Sequence, residues 1–281
     1  MKALKSCWSF FIFSNLFIAG CAAIMTIQTG ILFIPQGADL HFAAFVFFST
    51  LCSYSFHWYF TSHSSIETPR LHWLSRYRHL HLLFFFTGLA GSLYFFIPYI
   101  LDWIWIAIAI LATFLYSAPK LPNPHLRMLR KLALGKTIFL AAVWTYVTTV
   151  LPFILVGHPW SAEHSLFSIS RYFLVYMICI LFDYRDRNDD KAAGIRSLIT
   201  YLEPASIRNL FLFSFAIFTG STLLLANYST SFADIMLLLI PGFIVAALYR
   251  KATRNFDDML YYFVLDGLMA ISSLLTLFTR I

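Results

Sequence analysis

Charged residues are scarce in this sequence. They make up 12% of its 281 residues, whereas hydrophobic residues make up 60%, and an ordinary globular domain carries about 25% charged residues. So little charge cannot cover a water-facing surface, which excludes a soluble globular protein. The 11 Gly and 10 Pro are too few for a collagen-like or disordered chain. The class that remains is an integral membrane protein.

Cysteine is also sparse, and its spacing argues against a disulfide framework or a thiolate metal site. The four cysteines lie within apolar runs and form no CxxC pair. Basic residues outnumber acidic ones, 20 to 13, but they lie in short loops and form no continuous stripe. Nucleic acid is therefore not expected as a partner.

The apolar runs are long and continuous, which predicts helices and not the short alternating segments of a membrane barrel. A membrane-spanning helix needs about 20 predominantly apolar residues. We expect one all-α integral-membrane domain over residues 1–281. Its nine transmembrane helices are predicted at residues 8–27, 40–60, 79–97, 100–117, 136–157, 168–183, 210–227, 233–249 and 259–279.

The basic residues also predict how the chain is oriented in the membrane. Eighteen of the 20 Lys and Arg fall on one side of the nine predicted spans, leaving Arg171 and Arg280 on the other. The positive-inside rule then predicts that the N-terminus is cytoplasmic. We expect the protein to lie in the inner membrane of the cell. The segment from Lys2 to Cys21 imitates a lipoprotein signal, but we expect it to be retained as the first span.

The densest group of charges follows the sixth predicted span, over residues 183–191. If the helix continues, Asp183, Asp186 and Asp190 recur at i, i+3 and i+7 and share one face. Crowded carboxylates repel one another unless a cation lies among them, and Mg²⁺ commonly bridges one or two carboxylates to substrate phosphates. A solvated, salt-bridged loop that only fixes the topology is the alternative interpretation.

The spacing in this segment resembles a known family. Residues 186–197 read Asp-Arg-Asn-Asp-Asp-Lys-Ala-Ala-Gly-Ile-Arg-Ser. This is similar to the second aspartate motif of the UbiA-type intramembrane prenyltransferases, a DxxxD followed by Gly-x-[Lys/Arg]-[Ser/Thr]. Tyr116-Ser-Ala-Pro-Lys120 also looks like the family's Tyr-Ser-x-Pro segment, and nine helices with a cytoplasmic N-terminus match its topology.

The resemblance implies a function in isoprenoid chemistry. Family members bind an isoprenyl diphosphate through Mg²⁺ held by two aspartate motifs and transfer the prenyl group to a lipophilic acceptor, often an aromatic ring. Asp183, Asp186 and Asp190 would then hold Mg²⁺, with Asp186 and Asp190 as catalytic residues. The residues expected to contact the substrate are Lys120, Arg187, Lys191, Arg196, His57, Glu67 and Arg70.

The first aspartate motif of the family is missing after the second span. His57, Trp58, Thr61 and Ser65 stand where an Asn and three Asp would be, and Glu67 is the one acid left in that loop. A single Mg²⁺ could still support transfer, with His57, His63 and Glu67 as helpers. The pocket could instead bind an isoprenoid or quinone without chemistry.

Two further alternatives stay open. Five of the nine histidines, at positions 57, 63, 72, 79 and 81, lie close together in the sequence, and imidazole favours Fe, Cu or Zn. They show no spacing typical of membrane di-iron oxygenases or zinc proteases. A secondary transporter would carry buried charges in corresponding halves, but the stray acids Asp234 and Asp266 lack symmetric counterparts.

Overall fold

A computed structural model of the chain describes residues 2–60, 68–117, 136–192 and 197–280. Within these ranges the regular secondary structure is entirely helical, as the sequence predicts. In chain order the α-helices are α1 (Lys2–Phe13), α2 (Leu16–Phe33), α3 (Leu40–Phe60), α4 (Pro69–Arg76), α5 (Arg78–Phe96), α6 (Trp103–Ser117), α7 (Lys136–Thr145), α8 (Leu151–Leu155), α9 (Ala162–Ala192), α10 (Leu198–Tyr201), α11 (Pro204–Leu224), α12 (Phe232–Ala252) and α13 (Asp266–Arg280).

Seven helical stretches of the described ranges are long and apolar enough to cross a membrane, which indicates a multi-pass membrane protein. One of them, Arg78–Tyr116, has 39 residues. It combines α5 and α6 across a 3₁₀ segment in which Tyr99 has non-helical backbone angles, φ −103° and ψ 17°. A straight helix of that length would measure about 58 Å, roughly twice the hydrocarbon thickness of a bilayer. Helix α3 has 21 residues and is not among the seven.

The first predicted span, residues 8–27, is divided in the structure. Helix α1 ends at Phe13 and α2 begins at Leu16. Between them Asn15 adopts a left-handed conformation with φ of 70°, which Asn tolerates better than most residues. The apolar residues on both sides form one continuous hydrophobic run, so hydropathy alone does not reveal this break.

Helix α9 is the central helix of the bundle. It has 31 residues and runs through the whole acidic segment to Ala192, well past the predicted end at residue 183. Val175, Met177 and Ile180 are completely buried, because α9 packs against α7, α11, α12 and α13. At about 1.5 Å per residue the helix is about 46 Å long, which exceeds the apolar thickness of a bilayer and carries its last turns into a polar environment.

Helices α3 and α5 make the most extensive helix–helix contact of the described ranges. A glycine permits their close approach. A Cβ atom at Gly88 would lie 2.6 Å from the backbone nitrogen of Cys52 and 2.9 Å from the carbonyl oxygen of Phe48. Small residues at helix crossings let backbones approach in this way in membrane proteins.

Candidate functional site

The C-terminal turns of α9 carry two acids and a base on one face. Spacings of four and seven residues place Asp183, Arg187 and Asp190 above one another on an α-helix. Asp183 and Asp190 are buried, with 6% and 7% of their surfaces exposed. These carboxylates therefore face the protein and do not extend into bulk solvent.

Lys136, the first residue of α7, places its ammonium group between these two carboxylates. Its Nζ lies 3.6 Å from Asp183 Oδ1 and 3.7 Å from Asp190 Oδ2. The adjacent Thr137 donates a hydrogen bond from Oγ1 to Asp183 Oδ2. Because buried charges are costly unless paired and hydrogen-bonded, these contacts offset the burial of the two acids and hold the start of α7 against α9.

Asp186 has a different partner. Its carboxylate accepts a hydrogen bond from Arg185 Nε at 2.8 Å, and its side chain is 41% exposed. Arg185 also donates to the hydroxyl of Tyr262 at 2.6 Å and lies 4.0 Å from Asp258. The three predicted metal ligands are thus divided, with Asp183 and Asp190 at Lys136 and Asp186 at Arg185.

The described residues do not form a site that fits a magnesium ion. No three His, Cys, Asp or Glu side chains within the described ranges come close enough together to hold a metal ion. The same finding applies to the four histidines at positions 57, 72, 79 and 81, which lie in the described part of the chain. A hard divalent cation prefers several oxygen ligands, and here Lys136 lies where such an ion would join Asp183 to Asp190.

Two of the predicted substrate-binding residues lie beside this cluster. Arg187 donates from Nη2 to the carbonyl oxygen of Leu202 at 2.6 Å. Its Nε is buried and has no hydrogen-bond partner among the described residues. Lys191, one residue beyond Asp190, is exposed. Arg187 therefore keeps a donor that a bound anion could use.

Aromatic side chains adjoin the polar cluster. The ring of His57 stacks on Tyr116, with centroids 5.5 Å apart and planes at 19°. Tyr116 lies within electrostatic range of Lys136 and Asp183. Tyr54 accepts a hydrogen bond from Trp144 Nε1 at 3.3 Å. His57 and Tyr116 are thus brought together near the acidic end of α9.

Arg70 belongs to a second buried cluster. Its guanidinium carbon lies 4.0 Å from the ring centroid of Trp58 and 3.8 Å from that of Tyr262. Its Nη2 donates to Asn15 Oδ1 at 3.1 Å, and its backbone N–H donates to Asp258 Oδ2 at 2.8 Å. Burial lowers the pKa of Arg70, while nearby acidic groups act in the opposite direction. These contacts tie α4 to the break between α1 and α2, to α3 and to the segment that precedes α13, so Arg70 is engaged in packing.

Three predicted substrate contacts, Lys120, Glu67 and Arg196, lie outside the described residues. The same holds for Thr61, Ser65 and His63.

A third polar cluster lies inside the bundle, and the sequence reasoning missed it. Arg171 is 4% exposed and donates to the carbonyl oxygen of Met25 at 2.8 Å and to the side chain of Gln28. Gln28 also donates to Thr276 at 2.9 Å and accepts from Ser273 at 2.8 Å. Arg171, which lies within the predicted span 168–183, therefore bonds to helix α2, and Gln28 links it to α13.

Lys136 is the functional residue that the sequence does not single out. In the sequence it is one of many basic residues on the predicted inner side. The available signal was its position directly before an apolar run, because a charged residue at the end of a membrane helix points to a polar partner. The identity of that partner, 47 and 54 residues away, required the fold.

A comparison of the chain with models of known families, with curated proteins and with solved structures found no match. The chemistry of the cluster formed by Lys136, Asp183, Arg187 and Asp190 is therefore the guide to the function of the chain.

Proposed function

We propose that this chain is a prenyltransferase-like membrane protein that binds an isoprenyl diphosphate and transfers its prenyl group to an aromatic or other lipophilic acceptor. The observation that carries the proposal is the placement of Asp183, Arg187 and Asp190 on one face at the polar end of the central apolar helix. A charged headgroup can bind at this end while a long apolar tail lies among the helices. The resemblance of residues 186–197 to a prenyltransferase motif supports the same assignment.

The residues near the cluster suit the separate parts of the transfer. Arg187 has a buried donor for a phosphate oxygen, and arginine binds phosphate with well-directed hydrogen bonds. The exposed Lys191, together with Lys120 and Arg196, would add positive charge for the diphosphate. When the diphosphate leaves, positive charge develops on the allylic carbon, and the faces of rings such as Tyr116 can stabilise it.

The proposal includes a UbiA-like arrangement of nine membrane crossings. The seven candidate spans become nine if α5 and α6 cross separately and α3 crosses as well. The bend at Tyr99 supports two crossings within the 39-residue stretch. The excess of Lys and Arg on one side supports a cytoplasmic N-terminus and an inner-membrane location.

The resemblance also implies Mg²⁺, with Asp183, Asp186 and Asp190 as proposed ligands. Lys136 lies between two of these acids, and Asp186 is paired with Arg185. No step of the transfer is therefore assigned to the ion.

A second candidate function is binding of an isoprenoid or quinone without turnover. It is favoured by the residues found at the positions where the UbiA-type family carries its first aspartate motif. There His57 stacks on Tyr116, and Trp58 packs against Arg70 and Tyr262. These side chains take part in packing and supply no carboxylate.

The two candidates are separated by an assay on the purified full chain with radiolabelled farnesyl and geranylgeranyl diphosphate. Filter binding measures capture of the diphosphate, and release of inorganic pyrophosphate in the presence of lipid extract measures transfer. We expect binding that falls at least tenfold in Asp190→Asn and Arg187→Gln, with no change in the control Glu203→Gln, an exposed acid before α11. Pyrophosphate release lost in Asp190→Asn would support the transferase, binding without release would support the silent binder, and no binding would contradict both.

A further inference from the structure

We infer that Lys136 is the built-in cation of this site, so that the site works without a divalent metal ion. The inference starts from the position of its ammonium group, 3.6 Å from one buried carboxylate and 3.7 Å from another. An ammonium at these distances from both acids occupies the place of an ion that would bridge them.

The burial of Lys136 supports a specific role for its charge. The side chain is only 27% exposed, so bulk water solvates its ammonium group incompletely. The two acids of α9 compensate for this burial, and Thr137 reinforces the contact through its hydrogen bond to Asp183.

The same carboxylates cannot bind the ammonium and a magnesium ion at once. Mg²⁺ requires oxygen ligands at about 2.0–2.1 Å in a nearly octahedral arrangement. An ion at that distance from Asp183 and Asp190 would lie next to Nζ of Lys136, and the two positive charges would repel each other. A metal would therefore have to displace Lys136 from the space between Asp183 and Asp190.

The other half of a metal cage is not provided by the neighbouring helix. His57 and Trp58 stand at two positions where the compared motif has an Asn and an Asp, and both pack against aromatic rings. Asp186 is bound to Arg185. Within the described residues, Lys136 thus lies at a site that lacks the further acids that a divalent ion would need.

Two measurements on the full chain in detergent test the inference. The first is binding of Mn²⁺, used as a spectroscopic probe for a divalent ion and followed by electron paramagnetic resonance. It does not depend on the proposed substrate. We expect the wild type to leave the free Mn²⁺ signal unchanged at concentrations up to several hundred micromolar. Wild-type binding that is lost in Asp190→Asn would overturn the inference.

The second measurement is binding of radiolabelled farnesyl diphosphate with excess EDTA or with Mg²⁺, and it rests on the proposed function. We expect wild-type affinity to agree within about twofold between the two conditions and to fall about tenfold in Lys136→Met. Lys251→Met, which removes an exposed lysine at the end of α12, serves as the control and should bind like the wild type. Loss of wild-type binding in EDTA would overturn the inference.

The two measurements keep separate failures apart. No farnesyl diphosphate binding under any condition would count against the proposed function, while the Mn²⁺ measurement would still decide whether the site takes a metal. If Lys136→Met does not fold, two wild-type measurements still decide whether the site needs a metal ion. These are the binding of farnesyl diphosphate in EDTA compared with Mg²⁺, and the binding of Mn²⁺.

Discussion

The guanidinium group of Arg70 contacts two aromatic rings, with its central carbon 3.8 Å from the ring centroid of Tyr262 and 4.0 Å from that of Trp58. The two rings are nearly perpendicular, with their planes at 79°. The short helix α4 thereby inserts a positive charge between α3 and the π-helical turn that precedes α13. Asn15, at the break between α1 and α2, accepts a hydrogen bond from the same group. One side chain thus joins segments from both ends of the sequence.

Arg70→Ala should lower the free energy of unfolding by about 3 kcal/mol, because it removes two desolvated cation–π contacts and a buried hydrogen bond. Unfolding by sodium dodecyl sulfate in mixed micelles, followed by circular dichroism, measures the change. Arg76→Ala, at an exposed position of the same helix, should change the stability by less than about 0.5 kcal/mol. Equal effects of the two substitutions would show that Arg70 does not stabilise the fold in this way.

Gln28→Leu should destabilise the interior of the bundle by about 2 kcal/mol, because Arg171 and Ser273 both donate to the Gln28 side chain and would lose their acceptor. The matched variant is Thr276→Val, which removes the acceptor for Gln28 Nε2 and the intrahelical hydrogen bond from Thr276 Oγ1 to the carbonyl oxygen of Ser272. It should cost about 0.6 kcal/mol, the average for a hydrogen bond between membrane helices. The same unfolding titration compares them, and a smaller loss for Gln28→Leu than for Thr276→Val would contradict the network.

Gly88→Ala should force α3 and α5 apart, because the added methyl group would meet the backbone at Cys52. Overpacking of this kind costs about 2 kcal/mol. Gly20→Ala is the control, since a Cβ atom there meets nothing within 4 Å. Alanine is more favourable than glycine within a helix by up to about 1 kcal/mol. Gly20→Ala should therefore leave the stability of the protein unchanged or raise it. Thermal aggregation in detergent reports the difference, and a Gly88→Ala protein as stable as wild type would refute the close contact.

Cysteine labelling tests the proposed orientation. Glu203 and Asn227 are exposed and lie at opposite ends of α11. In a chain whose four native cysteines are replaced by alanine, Asn227→Cys should react with a membrane-impermeant maleimide on intact cells. Glu203→Cys should react only after permeabilisation. The reverse pattern would invert the orientation, and labelling of both from one side would show that α11 does not cross.

The sequence was sufficient for the features that depend on local pattern. The all-α class and the presence of several apolar helices follow from composition and from the lengths of the hydrophobic runs. The continuation of α9 through its acidic segment agrees with the i, i+3, i+7 spacing, which is meaningful only on a helix. The break at Asn15 was not predictable from hydropathy, because it depends on one backbone angle and on partners in α3 and α4.

The site depends on contacts between distant parts of the chain, and these were beyond the sequence alone. The spacing of Asp183, Asp186 and Asp190 suggests a shared ligand, yet Asp186 pairs with its neighbour Arg185. Lys136 pairs with the carboxylates of the other two acids, Asp183 and Asp190, through a helix–helix contact that no local pattern encodes. Arg171 shows the same limit, since the sequence places it near the outer end of a predicted span and only packing reveals its acceptors on α2.

The π-helical turns at Tyr146–Val150 and Leu260–Leu265 affect how the chain tolerates deletions. A π turn contains one residue more than an α turn, and a single deletion there can restore regular winding without rotating the flanking segments relative to each other. A deletion elsewhere in α7 would rotate Lys136 by about 100° relative to the residues beyond it. The wide turns are therefore the two places in these helices where the chain can be shortened while the angular register of Lys136 and Asp266 is preserved.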